Sequence, residues 1–256
     1  QAVTQAGFGT PMFLGAHRYF QERIRTYVSL EEAQADFPAG SDELRAVTAM
    51  YSQNPAPTLV QVGRRETDLL TYTPEDVTAI GEVFTISVTG TDSVEVAASF
   101  TTTTGTETAA DVTAALVGGL AGVVGVTVAD LTGTFTLAPA APLNEFSVSN
   151  IVKLVSVATT TEDAATVMQA IVDESNDFYF VTAHDKTQAF VLAMAADVEA
   201  RKKLYFVSVQ ELEALAAIGD PIDTGDTLAK LQDLGYIQTT GSFYQDDQAY
   251  FECGFV

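Results

Sequence analysis

Hydrophobic residues recur along the chain at two different spacings, and the changes between them divide the sequence into three segments. In the first segment, residues 1–72, short apolar runs at 11–15 and 58–63 predict two strands. Between these runs, apolar residues at 44–51 fall on one face at helical spacing. The order of strand, helix and strand predicts an α/β arrangement for this segment.

Capping residues set the ends of two helices in the first segment. Ser29 precedes one helix, with Glu32 at the spacing of a capping box, and the Pro-Ala-Gly run at 38–40 ends it. Ser41 begins a second helix, which the Asn-Pro-Ala-Pro run at 54–57 ends because proline lacks an amide donor. Two short helices are therefore expected between the strands.

The middle segment, residues 73–157, changes to alternation and to β-branched residues, which are typical of strands. Strands are predicted at residues 85–88, 94–97, 126–128, 134–137, 146–148 and 154–157. A helix is expected near residues 106–120, and the glycine pair at 118–119 weakens its end. The segment is therefore predicted to form a small β-rich domain.

The last segment, residues 158–256, returns to helices between strands. The Thr-Glu-Asp run at 161–163 begins a first helix, with acidic residues near the positive end of the helix dipole. Strands are predicted at residues 178–182 and 204–209, with a helix between them at 186–202. The spacing places Phe190, Ala193, Met194 and Val198 on the inward face of this helix. A helix of this length between two strands indicates a parallel crossover. Another helix is expected after the Thr-Gly-Asp run at 224–226 and ends at Gly235.

The three segments together predict a mixed α/β core domain that is interrupted by an inserted domain. The core consists of residues 1–72 and 158–256, and the insertion is the β-rich stretch 73–157. Such insertions are tolerated because the ends of a domain often lie close together. A chain of 256 residues is long enough to bury a sizeable core.

Charge is strongly acidic and unevenly distributed. The formal net charge is −22, so binding to nucleic acid or to an anionic membrane surface is not expected. No Lys or Arg occurs between Arg65 and Lys153, whereas six arginines stand at or before position 65. Two interpretations of these arginines stay open. One is a basic face on an otherwise acidic protein, and the other is a charge-complementary surface for assembly.

His184 and Asp185 form the strongest candidate for a catalytic pair. They follow a predicted strand, and sites of α/β proteins often lie at the carboxyl ends of strands. The favoured interpretation is instead a strand-to-helix turn, in which Asp185 caps the helix that begins at Lys186. No Gly-x-Ser-x-Gly elbow is present to place a nucleophilic serine.

Other chemistry-bearing motifs are incomplete. The Gly-Phe-Gly run at 7–9 resembles part of a phosphate loop but lacks the third glycine and the helix that should follow. Asp220, Asp223 and Asp226 lack the spacing of an EF-hand, and the aspartates at 246–247 predict a turn.

The single cysteine, Cys253, lies in an apolar alternating run and is expected to be a buried thiol without a disulfide. The sequence thus predicts no catalytic residues, no cofactor-binding residues and no metal ligands, and it predicts that the protein is not an enzyme.

An ordered series of runs spans both α/β segments. The runs are residues 6–15, 27–33, 36–37, 46–57 and 62–65 before the insertion, and 171–179, Thr182, 223–236 and Tyr244 after it. In this order they resemble the contractile bacteriophage tail sheath family of the myovirus type. The β-rich insertion fits the resemblance, because sheath proteins of this family carry outward-facing extra domains.

The resemblance implies a structural subunit of the virion that is assembled in the host bacterial cytoplasm. Such subunits form stacked rings, expected to be hexameric, around the tail tube and contract to drive the tube through the host envelope. The implied partners are neighbouring sheath subunits, the tail tube protein, the baseplate and the tail terminator. Nucleic-acid binding and membrane insertion are not implied.

Two parts of the family pattern are expected to be missing from this chain. One is a C-terminal domain that faces the tube, and the other is the terminal arms that add strands to the sheet of a neighbour. The sequence also begins without a methionine, which suggests that it starts inside a longer natural chain.

Two other functions stay open on the sequence alone. The β-rich insertion, with its threonine-rich turns, is typical of an adhesin or glycan-binding module as well as of a spacer. An α/β enzyme that uses His184 and Asp185 is the third hypothesis.

Overall fold

The structure is a computed structural model that describes residues 9–142, 144–209 and 225–243, together with Cys253. Within these residues, six helices and three sheets with parallel and antiparallel pairs form a mixed α/β fold, as the sequence predicted. The first part contains β1 (Pro11–Ala16), β2 (Ile24–Tyr27), α1 (Leu30–Asp36), α2 (Asp42–Tyr51) and β3 (Val60–Arg65).

The middle part contains eight further elements. They are β4 (Leu69–Pro74), β5 (Val83–Thr89), β6 (Glu95–Thr101), α3 (Ala109–Gly119), β7 (Val126–Asp130), β8 (Phe135–Pro139), β9 (Ser147–Val152) and β10 (Leu154–Thr159). The last part contains α4 (Ala164–Glu174), β11 (Phe180–Ala183), α5 (Gln188–Arg201), β12 (Leu204–Val209), α6 (Thr227–Leu234) and β13 (Thr239–Phe243).

A six-stranded sheet, in the order β13-β12-β11-β1-β3-β2, joins the first and last parts of the chain. All neighbours in it are parallel except β2, which runs antiparallel to β3. The predicted crossover is confirmed, because β11 and β12 are parallel and α5 connects them.

Strand β1 lies in the middle of this sheet and is buried on both faces. Successive side chains of a strand point to opposite faces, so Met12 and Leu14 enter one core while Phe13 enters the other. Helices α4 and α5 pack on the first face, and α1 and α2 pack on the second. A continuous apolar run is therefore what this position requires.

The middle part builds two antiparallel sheets, in the orders β10-β4-β8-β7 and β6-β5-β9. Its hydrophobic cluster consists of residues between Leu70 and Ala158, with the buried face of α3 among them. The predicted β-rich character is confirmed, although the sequence did not predict β4. The domain boundaries stay a prediction. Strands β4 and β10 each cross one of these boundaries, and they pair with each other antiparallel over six positions.

Most predicted helix ends are confirmed. Ser29, Ser41, Asp163 and Asp226 each cap a helix by accepting a first-turn amide, and Gly235 ends α6 in the left-handed region. The capping box at Ser29 is incomplete, because the Glu32 carboxylate accepts from the amide of Val28 instead. No helix in the described ranges has both the length and the hydropathy to cross a membrane.

The predicted start of α5 is wrong. The helix begins at Gln188 with Thr187 as its N-cap, and Asp185 accepts from the amide and hydroxyl of Thr187 rather than from the first turn. Ala193, which the spacing placed inward, is exposed, while Val191 and Ala195 are buried.

The two glycines at the end of α3 differ in their surroundings, and this difference predicts opposite effects of alanine. A Cβ on Gly119 would lie 2.8 Å from the Cβ of Ala98 on β6, whereas a Cβ on Gly118 would meet nothing within 4 Å. Gly119→Ala should lower the free energy of unfolding by about 1–3 kcal/mol, because the helix must move away from the strand.

The matched variant Gly118→Ala should raise the free energy of unfolding by about 0.5–1 kcal/mol, because alanine favours the helix. Urea denaturation of both variants measures the two values. Shifts of the same sign would contradict the close packing of α3 on β6.

Candidate functional site

Charged and titratable side chains gather at the edge of the six-stranded sheet where β1, β3 and β11 end. In open α/β sheets, ligand sites lie at the carboxyl ends of strands, at the point where the connections diverge. Here β1 is followed in the chain by β2 and β3 on one side, whereas β11 is followed by β12 and β13 on the other. The carboxyl ends of β1 and β11 therefore mark the candidate site.

Two arginines at this edge are almost completely buried. Arg18 follows β1 and Arg64 lies in β3, and each is 1% exposed. Arg18 forms an ion pair with Glu66 and another, at 3.2 Å, with Glu145. Arg64 reaches the same two carboxylates, at 3.0 Å and 3.2 Å. Arg18, Arg64, Glu66 and Glu145 are called the charge cluster below.

Backbone carbonyls complete the hydrogen bonding of the two guanidinium groups. Arg18 donates from Nε and Nη2 to the carbonyl of Thr67, at 3.2 Å and 2.7 Å. Arg64 donates to the carbonyls of Glu22 and Gln21, at 3.1 Å and 2.7 Å. Buried charges are tolerated when they are both paired and hydrogen-bonded, and both conditions hold here.

A second set of ion pairs extends the cluster to α4 and β11. Arg23 binds both oxygens of Glu162 at 2.9 Å, and the amide of Glu66 donates to Glu162 at 2.6 Å. Arg65 pairs with Asp185 at 2.8 Å and donates to the Glu162 carbonyl at 2.6 Å. These contacts with Glu162 therefore hold the chain in place where it leaves β3 and where it enters α4.

Glu145 brings the middle part of the chain to the cluster. The next residue, Phe146, places its ring 4.4 Å from the guanidinium carbon of Arg18, a favourable cation–π geometry. The amide of Val148 in β9 donates to the Arg18 carbonyl at 2.7 Å. Arg18 is therefore the point of attachment between β1 and β9.

These pairings correct one interpretation of the sequence. The arginines of the first segment do not form a basic face, because the carboxylates of the same chain neutralise them. Arg25 pairs with Glu22 and Asp36, and Arg45 lies 3.7 Å from Asp42. The interpretation as an assembly surface stays a prediction.

A cleft of about 520 Å³ lies beside the charge cluster, between the start of α2, the end of β1 and strand β10. Glu43 in its wall is only 5% exposed, and its carboxyl group occupies the space that a Cβ on Gly15 would need. Burial, and to a smaller extent the Asp42 carboxylate, raises the pKa of Glu43 to about 8. Glu43 is therefore mainly protonated at neutral pH.

The structure separates His184 from Asp185. The Nδ1 atom of His184 lies 3.3 Å from a carboxylate oxygen of Asp42 in the cleft wall, whereas Asp185 faces Arg65 and Thr187. Burial alone would raise the pKa of Asp185, but the hydrogen bonds from Thr187 and Arg65 hold it below its ordinary value. The two side chains are thus engaged in different contacts.

The second histidine, His17, is buried beside the cleft among Tyr19, Phe20 and Phe37. Its Nδ1 atom accepts from the amide of Tyr19 at 3.3 Å. Burial, followed by the nearby arginines, lowers the pKa of His17 well below its ordinary value. His17 is therefore neutral and contributes to the aromatic packing.

The other residues named from the sequence have simpler outcomes. Cys253 is buried, as predicted, with its sulfur 3.4 Å from the Thr182 hydroxyl. Asp226 caps α6. Asp220, Asp223, the aspartates at 246–247 and Gly7 with Phe8 lie outside the described residues.

Within the part of the chain that the structure describes, no group of three or more His, Cys, Asp or Glu is arranged to hold a metal ion.

The sequence did not identify Glu43 and Glu145 as important residues. For Glu43 a signal was present, because it stands at helical spacing from Val47 and Met50 on the buried face of α2. For Glu145 no local signal exists, since its partners are 127 and 81 positions away.

No model of a known protein family matches the chain, and comparison with curated proteins gives no match either.

Removal of a buried arginine should destabilise the protein strongly. Arg18→Met leaves the carboxylates of Glu66 and Glu145 with one arginine fewer, so the free energy of unfolding should fall by about 3–5 kcal/mol. The matched variant Arg25→Met removes two partly exposed ion pairs and should cost about 0.5–2 kcal/mol. Chemical denaturation measures the free energy of unfolding of both variants. Equal losses of this free energy would contradict a stabilising role for the burial of Arg18.

The buried carboxyl of Glu43 should make stability depend on pH. Its pKa is about 8 in the folded protein against 4.5 for the free group, so folding favours the protonated form. The contribution of protonated Glu43 to the free energy of unfolding is complete below pH 4.5 and is lost as the pH rises towards 8. Over this range the free energy of unfolding falls by up to about 1.4 kcal/mol per pH unit.

Glu43→Gln, which cannot ionise, should therefore gain stability relative to the wild type between pH 5 and pH 8. Thermal unfolding across this range measures the difference. A difference in stability between Glu43→Gln and the wild type that stays constant across this range would contradict the raised pKa.

Proposed function

We propose that the protein is a structural subunit of a contractile phage tail sheath, which polymerises around the tail tube and contracts to drive it through the host envelope. The observation that supports this proposal is the order of the elements. The runs that resemble the sheath family fall on β1, α1, α2 and β3 before the β-rich part, and on the end of α4, β11 and α6 after it.

The charge cluster supports the proposal on physical grounds. A sheath subunit has to keep its shape while its contacts with neighbours change, so its parts must move together. Arg18 and Arg64 hold β1, β3 and the residues before β9 with paired, buried charges. Removing one partner of such a pair is costly, so the cluster resists separation of the two parts.

In this proposal the partners are neighbouring subunits in stacked rings, the tube protein, the baseplate and the tail terminator. The β-rich part faces outward from the sheath, and neighbouring subunits extend the six-stranded sheet by strand addition. The glycan-binding alternative for the β-rich part stays a prediction from the sequence.

Electron microscopy tests the proposal directly. The protein expressed from its complete reading frame, with the tube protein present, should form hollow helical cylinders. Arg18→Met should reduce the yield of cylinders, because the variant loses the tie between its parts. Protein that stays monomeric under every assembly condition, with and without the tube, would contradict the proposed function.

A further inference from the structure

The cleft beside the charge cluster has the size and the lining of a site for a small molecule. Its volume is about 520 Å³, and ligand pockets commonly run from about 300 to 1,000 Å³. It lies at the carboxyl end of β1, where the connections of the six-stranded sheet diverge. Leu70 and Tyr72 of β4 and Leu154 of β10 make part of its wall apolar. A molecule with an apolar body therefore fits this space.

The carboxyl group of Glu43 stands in the wall of the cleft with unused hydrogen-bonding capacity. Glu43 is 5% exposed, and its carboxyl lies against Gly15 of β1, where a Cβ would overlap it. Among the described residues, only the amide of Glu43 itself donates to this carboxyl, and no cation pairs with it. A buried carboxyl without a cation beside it favours the neutral form, in agreement with the raised pKa of Glu43.

A neutral carboxyl group recognises a particular kind of partner. It offers a donor, its O–H, and an acceptor, its C=O, side by side. A lactam or another cis amide uses both at once, because its C=O and N–H groups point the same way. A carboxylate has no donor and an ammonium group has no acceptor, so neither forms both bonds.

The charges in the wall of the cleft do not select an ion. Arg18 is neutralised within the charge cluster. Asp42 stands between two groups that carry or can gain positive charge, at 3.3 Å from Nδ1 of His184 and 3.7 Å from Nη1 of Arg45. Glu75 is exposed, so water and salt screen its charge. A neutral ligand is therefore favoured over a charged one.

We propose that the cleft binds a small neutral molecule through a cis amide edge, which pairs with the carboxyl group of Glu43 by two hydrogen bonds. The rest of the molecule lies against the apolar wall that β4 and β10 form. The two hydrogen bonds set the orientation of the ligand, and burial of its apolar surface adds affinity. This site does not depend on the sheath function.

Nuclear magnetic resonance with the isotope-labelled full chain tests this site. The probe is 2-pyridone, a planar ring whose C=O and N–H groups stand side by side. At pH 6, millimolar 2-pyridone should shift the amide signals of Gly15 and Glu43 and leave those of α6 in place, because α6 does not line the cleft. No shift at Gly15 and Glu43, or equal shifts in α6, would overturn the proposal.

Three control molecules separate the two hydrogen bonds from shape and charge. N-Methyl-2-pyridone keeps the ring but has no N–H donor, so its binding should be about three- to tenfold weaker, the factor for the loss of one hydrogen bond. Benzoate and benzylammonium each carry an aromatic ring and one charge, and both should bind more weakly than 2-pyridone. Equal binding of N-methyl-2-pyridone would overturn the amide pairing, and equal or tighter binding of either ion would overturn the neutral ligand.

Two variants show whether the side chain of Glu43 is the group that binds. Glu43→Leu has neither donor nor acceptor, so 2-pyridone should bind at least about tenfold more weakly. Glu43→Gln has a donor and an acceptor on one amide group, so it should retain binding at pH 6. If Glu43→Leu fails to fold, N-methyl-2-pyridone on the wild type decides the same question. Unchanged binding by Glu43→Leu, or loss of binding by Glu43→Gln, would contradict the pairing.

The pH dependence of binding gives a separate measure of the same contact. Because the pKa of Glu43 is about 8, only about one molecule in ten keeps its proton at pH 9, and 2-pyridone should bind about tenfold more weakly than at pH 6. Glu43→Gln cannot ionise and should show no such loss. An equal loss of binding in both proteins would overturn the role of Glu43.

The comparison with Glu43→Gln is needed because other titratable or charged groups surround the cleft. Burial raises the pKa of Tyr19 and lowers that of His17, so both stay uncharged between pH 6 and pH 9. The remaining groups are Asp42 and Arg45 on α2, Arg18 after β1, His184 after β11 and Glu75 after β4. All of them are unchanged in Glu43→Gln, so the difference between the two proteins reports Glu43 alone.

Discussion

The burial of Arg18 and Arg64 is the constraint on which the arrangement of this protein depends. A guanidinium group that is 1% exposed needs a carboxylate and further acceptors around it, because desolvation otherwise makes its burial unfavourable. Glu66 and Glu145 supply the charge, and the carbonyls of Thr67, Gln21 and Glu22 supply the remaining bonds. Three separate stretches of chain are thereby held at one edge of the sheet.

This constraint also accounts for where the β-rich part sits. The chain leaves the six-stranded sheet after β3 and returns through β10 to α4, and the ion pairs of Arg23 and Arg65 hold both passages. The strands that carry the chain out and back, β4 and β10, pair with each other. The arrangement buries the two arginines of the charge cluster and leaves a cleft open beside it.

The sequence predicted what depends on local pattern and failed where distant residues decide. The apolar run of β1, the serine caps and the crossover through α5 follow from local pattern and were confirmed. Strand β4 was missed because its partner residues in β10 lie 80 to 90 positions later in the chain and its run ends in Pro74. The arginines suggested a basic face because charge is visible in a sequence, whereas the pairing of Arg18 with Glu145, 127 positions away, is not.

The measurement that most directly tests this account is a double-mutant cycle between Arg18 and Glu145. The free energy of unfolding is determined for the wild type, Arg18→Met, Glu145→Gln and the double variant. If the pair of buried Arg18 and partly exposed Glu145 ties β1 to the β-rich part, the double variant should lose less stability than the sum of the single losses, with a coupling of about 1–2 kcal/mol. Losses that add to within about 0.5 kcal/mol would contradict the central role of the charge cluster.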